Sequence, residues 1–241
     1  MSIASEITRL QQAKADIKTA IENKGVTVPS NATLDAYDGY IDDIPSGGGG
    51  NWETIARGMI DQTTEFDMPD GIISASQMAT NYVMNNRAGM KSFTIPNGAT
   101  SIGVSFFAGC SKLTTIIIPN SVTSISNYAF QGCTSLVDIT FGSGLTTFGQ
   151  NVFQSCTALE SITVPASVTN VGAGFMRQCF ALKEVIMQGT TPPTMGANGF
   201  SQSNNLQAIY VPDASVAAYQ GTSNWTSFAS KIKGISERPT T

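Results

Sequence analysis

Four cysteines carry the most reactive side chains of this 241-residue chain, and they stand at a constant interval: Cys110, Cys133, Cys156 and Cys179 are each 23 residues apart. A thiol can act as a metal ligand, a redox centre or a nucleophile. Ligand pairs of the Cys-x-x-Cys kind, which bring two sulfurs within reach of one ion, are absent. Nucleophilic use needs a neighbouring base, and the chain contains no histidine. That removes Cys-His and Ser-His-Asp catalysis, histidine-ligated metals and the ordinary physiological pH switch. The equal spacing predicts instead that the four thiols stack as a column of small, inert core side chains. Disulfides between neighbours are disfavoured, because parallel side chains in one conformation fit the near-90° torsion poorly.

The same interval governs the elements that must position this column. Leu113, Leu136, Leu159 and Leu182 repeat at 23 residues, with Leu206 following after 24. Phe107, Phe130 and Phe153 share the period, Met176 takes the next slot and Phe200 the one after. Pro96, Pro119 and Pro165 do likewise, with Gly142 in the third slot. A Leu-x-x-apolar-x-apolar step occurs five times: Leu113/Ile116/Ile118, Leu136/Ile139/Phe141, Leu159/Ile162/Val164, Leu182/Val185/Met187 and Leu206/Ile209/Val211. Alternation within each step predicts a short strand with its apolar side chains in the core. A fixed period of this length predicts a solenoid, in which stacked rungs share one continuous core that no single rung could bury. The aromatic column is therefore core. Met78, Met84 and Met90 are read as filling a degenerate first rung over 51–92 that caps the stack.

Carboxylates offer the other route to chemistry. Residues 93–186 contain three, Asp138, Glu160 and Glu184. Glycosidase chemistry needs two facing one cleft. Asp138 and Glu184 point outward two rungs apart, or roughly 10 Å, on an open sheet. No catalytic residue, metal ligand or cofactor is expected, and the chain is read as non-enzymatic. The candidate partner-binding row comprises the outward positions of the five strands: Thr115, Ile117, Asp138, Thr140, Ser161, Thr163, Glu184, Ile186, Ala208 and Tyr210. Hydroxyls with an aromatic suit a glycan or a peptide edge, and solenoids commonly bind on such faces.

Residues 1–46 follow a different rule. Ile3, Ile7, Leu10, Lys14, Ile17 and Ile21 form a heptad seam with one polar member. Gly25 ends that helix, and a second begins after Ser30 or Asn31 with Leu34, Tyr37, Ile41 and Ile44 on one face. Pro45 and the linker 47–50 of four glycines close the module. Helices of this size are marginal alone, so the seam predicts association with copies of itself, a homotrimer included, or with a larger partner. The alternative is a simple two-helix hairpin.

Charge is distributed as unevenly as the patterns. Charged residues make up 12% of the chain, about half the usual share. Eleven of them stand in residues 1–46, against six in residues 93–186. With 41% hydrophobic residues, this poverty of charge is not the signature of disorder. A net charge of −4 leaves no electrostatic footprint for nucleic acid or anionic membrane. No apolar run approaches the roughly 20 residues of a membrane span. Met1 to Leu10 is polar, and this predicts a chain outside the ordinary secretory route.

Residues 93–233 resemble the BspA-like leucine-rich repeats, whose units read Ala-Phe-x-x-Cys-x-x-Leu-x-x-Ile-x-Ile-Pro. Ala129-Phe130-Gln131-Gly132-Cys133-Thr134-Ser135-Leu136 is nearly ideal. The chain departs from the pattern at Gly142, Met176 and Phe180, and most in the fifth unit. There Ser203 stands in the Cys slot, after an inserted Thr191-Pro192-Pro193-Thr194. The tail resembles the family's usual ending, with capping helices expected over 215–219 and 225–233. The resemblance implies an α+β leucine-rich-repeat solenoid of about five 23-residue rungs with short parallel strands, a small helical N-terminal module and a helical C-terminal cap.

The N-terminal stretch Ala13-Lys14-Ala15-Asp16-Ile17-Lys18-Thr19-Ala20-Ile21, with Gly25-Val26-Thr27-Val28-Pro29 before the second helix, resembles a segment of bacteriophage tail and baseplate-associated proteins. That implies attachment to other virion proteins through 1–46 and display of a domain over 51–241 to a host-cell glycan or surface protein. The competing expectations are a bacterial cell-surface adhesin and an intracellular protein-interaction module.

Overall fold

The computed structural model describes residues 84–239 continuously, together with residues 65–68, residues 77–79 and the single residue Glu22. The heptad seam Ile3, Ile7, Leu10, Lys14, Ile17 and Ile21, the second helix and the glycine linker lie outside the described residues.

Strands dominate. After β1 (Phe66–Met68), four-residue and two-residue strands alternate: β2 (Met90–Phe93), β3 (Ser101–Ile102), β4 (Thr115–Ile118), β5 (Ser124–Ile125), β6 (Asp138–Phe141) and β7 (Thr147–Phe148). The alternation continues through β8 (Ser161–Val164), β9 (Asn170–Val171), β10 (Glu184–Met187), β11 (Thr194–Met195) and β12 (Ala208–Val211). All five strands expected from the Leu-x-x-apolar-x-apolar step form, as β4, β6, β8, β10 and β12. Every pairing among the described residues is parallel: β4 pairs with β6, β8 with β10 and β10 with β12, so that Ile116 faces Ile139 and Val185 faces Ile162 and Ile209, whereas β6 and β8 are adjacent edges of two separate ladders. The short strands form one continuous five-stranded parallel sheet in the order β11-β9-β7-β5-β3.

A third ladder joins the turns between them. Ser105, Phe107 and Gly109 donate their N–H groups to Asn127, Ala129 and Gln131, and Tyr128, Phe130 and Gly132 donate to Gln150, Val152 and Gln154. Each coil thus satisfies its backbone polar groups on three sides against the next coil, as a buried non-helical chain must. The turns require left-handed backbone at two slots per coil. One slot holds Ser105, Tyr128, Asn151, Gly174 and Asn198, and the other Asn86, Gly109, Gly132, Ser155, Gln178 and Gln202. Gly109 and Gly132 meet the requirement without strain, at φ of 76° and 72°, whereas Tyr128 at 59° does so against its Cβ.

The core follows the columns read from the sequence. Leu113, Leu136, Leu159 and Leu182 are fully buried. Phe107, Phe130 and Phe153 stack in sequence with centroids 5.1 and 5.4 Å apart. Phe141 is the one core position of its column that stays half-buried, packed edge-on to Phe148 at 5.3 Å. At Gly142 the loss of proline has a local reason. Its N–H donates to the Ile118 carbonyl at 2.7 Å, a bond Pro119 and Pro165 cannot make. A Cβ there would also stand 2.6 Å from the Asn120 backbone.

The ends depart from the expected plan. Met78, Met84 and Met90 are buried, and Met84 donates to Phe106 as a normal rung would, so the described part of 51–92 continues the stack. At the other end, helix α1 (Val216–Gly221) follows a 3-10 turn over Asp213–Ser215. The second expected capping helix is a 3-10 segment that stops at Lys231. Residues Ile232–Gly234 instead form β13, which pairs parallel with β12. The open edge of β12 needed backbone partners, which a helix could not supply.

Candidate functional site

The outer face of the four-residue strands displays the candidate row, but not all of it. Thr115, Asp138, Thr140, Ser161 and Thr163 are exposed, and Ile117 is 70% exposed. Glu184 and Ile186 are half-buried. Ala208 and Tyr210 are buried, at 3% and 6% exposure, which corrects the expectation that they line an open face. The cause is the chain end. After β13, a 3-10 turn over Ile235–Glu237 carries the chain back across β12, and the Arg238 guanidinium pairs with both carboxylate oxygens of Glu184 on β10. The turn is fixed by the Glu237 carboxylate accepting from Gly234 N–H at 3.0 Å and by the Asp213 carboxylate accepting from Ser236 N–H and Oγ–H. Sequence reasoning missed this strap. No repeat position encodes a reversal of the chain, and Arg238 meets Glu184 only across 54 residues.

Two populations of hydroxyl separate on the surface. Thr123, Thr146, Thr169 and Thr194 each donate to a carbonyl one coil earlier, as does Thr114 to Lys91. They staple the stack. Thr115, Thr140, Ser161 and Thr163 make no side-chain hydrogen bond among the described residues. The hydroxyls committed to the fold and those free for a ligand are thus on different columns.

The cysteine column is structural. All four thiols are free and buried, and each donates to a carbonyl of the previous coil: Cys110 to Met84, Cys133 to Phe107, Cys156 to Phe130 and Cys179 to Phe153, at 3.0 to 3.2 Å. Burial pushes the Cys110 and Cys179 thiols up to about 12, and Cys133 and Cys156 well above their ordinary range. A thiol held protonated is neither a nucleophile nor a metal ligand. Ser203, counted from sequence as a departure, makes the same contact. Its hydroxyl donates to the Met176 carbonyl at 2.6 Å and accepts from Cys179 N–H.

Carboxylates do not converge. Glu160 pairs with Lys183 at 2.7 Å and Glu184 with Arg238, while Asp138 stands exposed between Thr115 and the β8 rung. Glu65 lies between Lys91 and Lys112, and the Lys91 hydrogen bond holds its carboxyl below the usual carboxylate range. Among the described residues, no three cysteine, aspartate or glutamate side chains gather to hold a metal, and no helix is long and apolar enough to cross a membrane.

A stack of leucine-centred parallel rungs repeating at 23 residues defines a leucine-rich-repeat solenoid. The family model for the BspA type leucine-rich repeat region matches residues 77–207 in six copies, more than half of the chain, and the chain belongs to that family. The match begins at residue 77, inside the stretch 51–92 read from the sequence as a degenerate first rung. Among solved structures, a leucine-rich repeat protein of Bacteroides ovatus is similar at 19% identity and a TM-score of 0.52, over 71% of this chain and 43% of its own. The T. pallidum leucine-rich repeat protein is similar at 23% identity and a TM-score of 0.52, over 72% of this chain and 86% of its own. A leucine-rich cell surface protein of Faecalibacterium prausnitzii aligns at 30% identity and a TM-score of 0.45, over 56% of this chain and 33% of its own. The chain thus spans less than half the length of the B. ovatus protein. No curated protein matches it. The phage-tail resemblance of residues 1–46 has no counterpart among these relatives.

Proposed function

We propose that the chain is a non-catalytic recognition module that presents the outer face of its long strands to a partner at a bacterial cell surface. The observation that carries this reading is the division of hydroxyls. Thr115, Thr140, Ser161 and Thr163 are exposed and uncommitted on that face, while the hydroxyls of neighbouring columns are bonded to the stack. Membership of the BspA type family supports the surface location. The low charge of the repeats fits a ligand recognised by close contact rather than by long-range steering. A screen of the full chain against glycan arrays and whole cells tests the reading, with a Thr140→Lys/Thr163→Lys double variant as the face-blocked control. Binding that the folded double variant retains in full would refute it.

A second reading rests on the sequence of residues 1–46. The same face would then be displayed on a phage particle, with the heptad seam as attachment or trimerisation module. Deletion of residues 1–46 is expected to leave a folded repeat domain that no longer joins its assembly. Incorporation of the truncated chain into particles at normal levels would sink this alternative.

A further inference from the structure

The strap that covers Tyr210 shows what the outer face accepts. It is a single 3-10 turn, Ile235–Glu237, flanked by extended residues; its arginine, Arg238, forks onto an outward carboxylate, and the turn sits against β12, whose outward Ala208 and Tyr210 are buried. Two rungs away in the same column stands Asp138, with Thr115 directly opposite it on β4 and Ser161 one period further on β8. Glu184 occupies the same slot of the repeat as Asp138, two 23-residue periods on, and faces Ser161 across β8 and β10. Thr140 follows on the same face of β6 and lies opposite Ile117, the most exposed large apolar side chain of the described residues. The Asp138 end therefore repeats the layout at the Glu184 end, a carboxylate beside an apolar side chain, but without a cover.

Charge singles out this end. Of the three carboxylates in the repeats, Glu160 is neutralised by Lys183 and Glu184 by Arg238, and Asp138 alone has no base within reach among the described residues. We infer that the open stretch of β4, β6 and β8 binds a short peptide segment of a partner protein, with an arginine of that segment on Asp138 and an apolar side chain against Ile117. A guanidinium fits better than an ammonium. Its planar fork takes both carboxylate oxygens and leaves N–H groups for the flanking Thr115 and Ser161 hydroxyls, which have no other duty. The inference rests on the proposed recognition role and specifies its ligand.

The experiment uses the full chain, 15N-labelled, titrated with the end-blocked heptapeptide Ile-Ser-Glu-Arg-Pro-Thr-Thr, the sequence of residues 235–241. A second peptide carries the Arg238→Gln change. The arginine peptide is expected to shift the amides of 115–117 and 138–140 saturably at millimolar concentrations. The glutamine peptide, or the Asp138→Asn variant protein, is expected to bind at least fivefold more weakly. Asp138 is exposed and unpaired, so its replacement leaves the fold intact. Absent or non-saturating shifts would overturn the inference, as would equal binding of the two peptides or indifference to Asp138→Asn. Shifts confined to Glu184 and Arg238 would also overturn it, since they would report exchange with the strap. Glycan or cell binding that Thr140→Lys/Thr163→Lys abolishes and Asp138→Asn spares would leave the recognition role standing and remove the arginine ligand.

Discussion

The central rungs and the last rung are built from one repeat but held by different means. From Phe107 to Cys156 each coil is secured by copies of itself: a stacked phenylalanine, a thiol donating to the previous coil, a threonine staple. The last rung has no copy above it. It is closed by side chains that occur once. Trp225 Nε1–H donates to the Pro193 carbonyl at 2.9 Å, the Tyr219 hydroxyl to Gly189 at 2.9 Å, and Asn224 to Met195 at 2.7 Å. All three acceptors lie in or beside the inserted Thr191-Pro192-Pro193-Thr194, so the irregularity that breaks the repeat is the seat of the cap. A periodic stack can specify its middle by repetition, but its end must be specified by exceptions.

The largest expected effect that separates the two regions is alkaline. The folded chain holds four thiol protons that an unfolded chain releases above about pH 9, and Cys110 and Cys179 keep theirs to about 12. The thiol contribution is therefore whole below pH 9 and falls as the pH rises toward 12, by about 1.4 kcal/mol per pH unit for each thiol. Urea midpoints measured from pH 7 to 11 should show this slope. A Cys133→Ser/Cys156→Ser variant, which converts two central slots to the chemistry of Ser203, should halve it. An unchanged slope would mean that the thiols are not its source.

Next come the large core side chains. Phe130→Ala and Trp225→Ala should each cost about 3–5 kcal/mol. They should differ in place: hydrogen exchange is expected to rise across the neighbouring coils for Phe130→Ala, and first in β12 and β13 for Trp225→Ala. Equal loss of protection everywhere in both variants would erase the distinction between middle and end. Smaller again is Ser203→Ala, which leaves the Met176 carbonyl and the Cys179 N–H short of a partner and should cost about 1–3 kcal/mol in thermal or urea unfolding. Ser203→Cys should cost less, because it restores the central slot. The smallest change is a gain. Tyr128 occupies a left-handed position, so Tyr128→Asn should stabilise by about 0.5–1 kcal/mol in the same assay.

Most of the fold is legible in the repeat. Equal spacing of leucine, phenylalanine and cysteine forces equal environments, so core columns, strand phase and the inert state of the thiols followed directly. The candidate face was legible in its first three rungs, where Thr115, Asp138 and Ser161 alternate with core residues as strand geometry demands. It failed in the fifth. Ala208 and Tyr210 have the same phase, yet the strap covers them, and its contacts join residues with no periodic relation. The equivalence of Ser203 with the cysteines was also hidden, since residue type alone does not show that a hydroxyl and a thiol make the same bond.

The period, the core and the outward row are written in the residue pattern, because each depends on local alternation repeated at a fixed interval. Where the outward row ends and which carboxylate is left unpaired emerge only on folding. Both depend on where the chain turns after β13 and what Arg238 reaches. That is settled by the need to cover one sheet edge, a requirement that exists only once the coils are stacked.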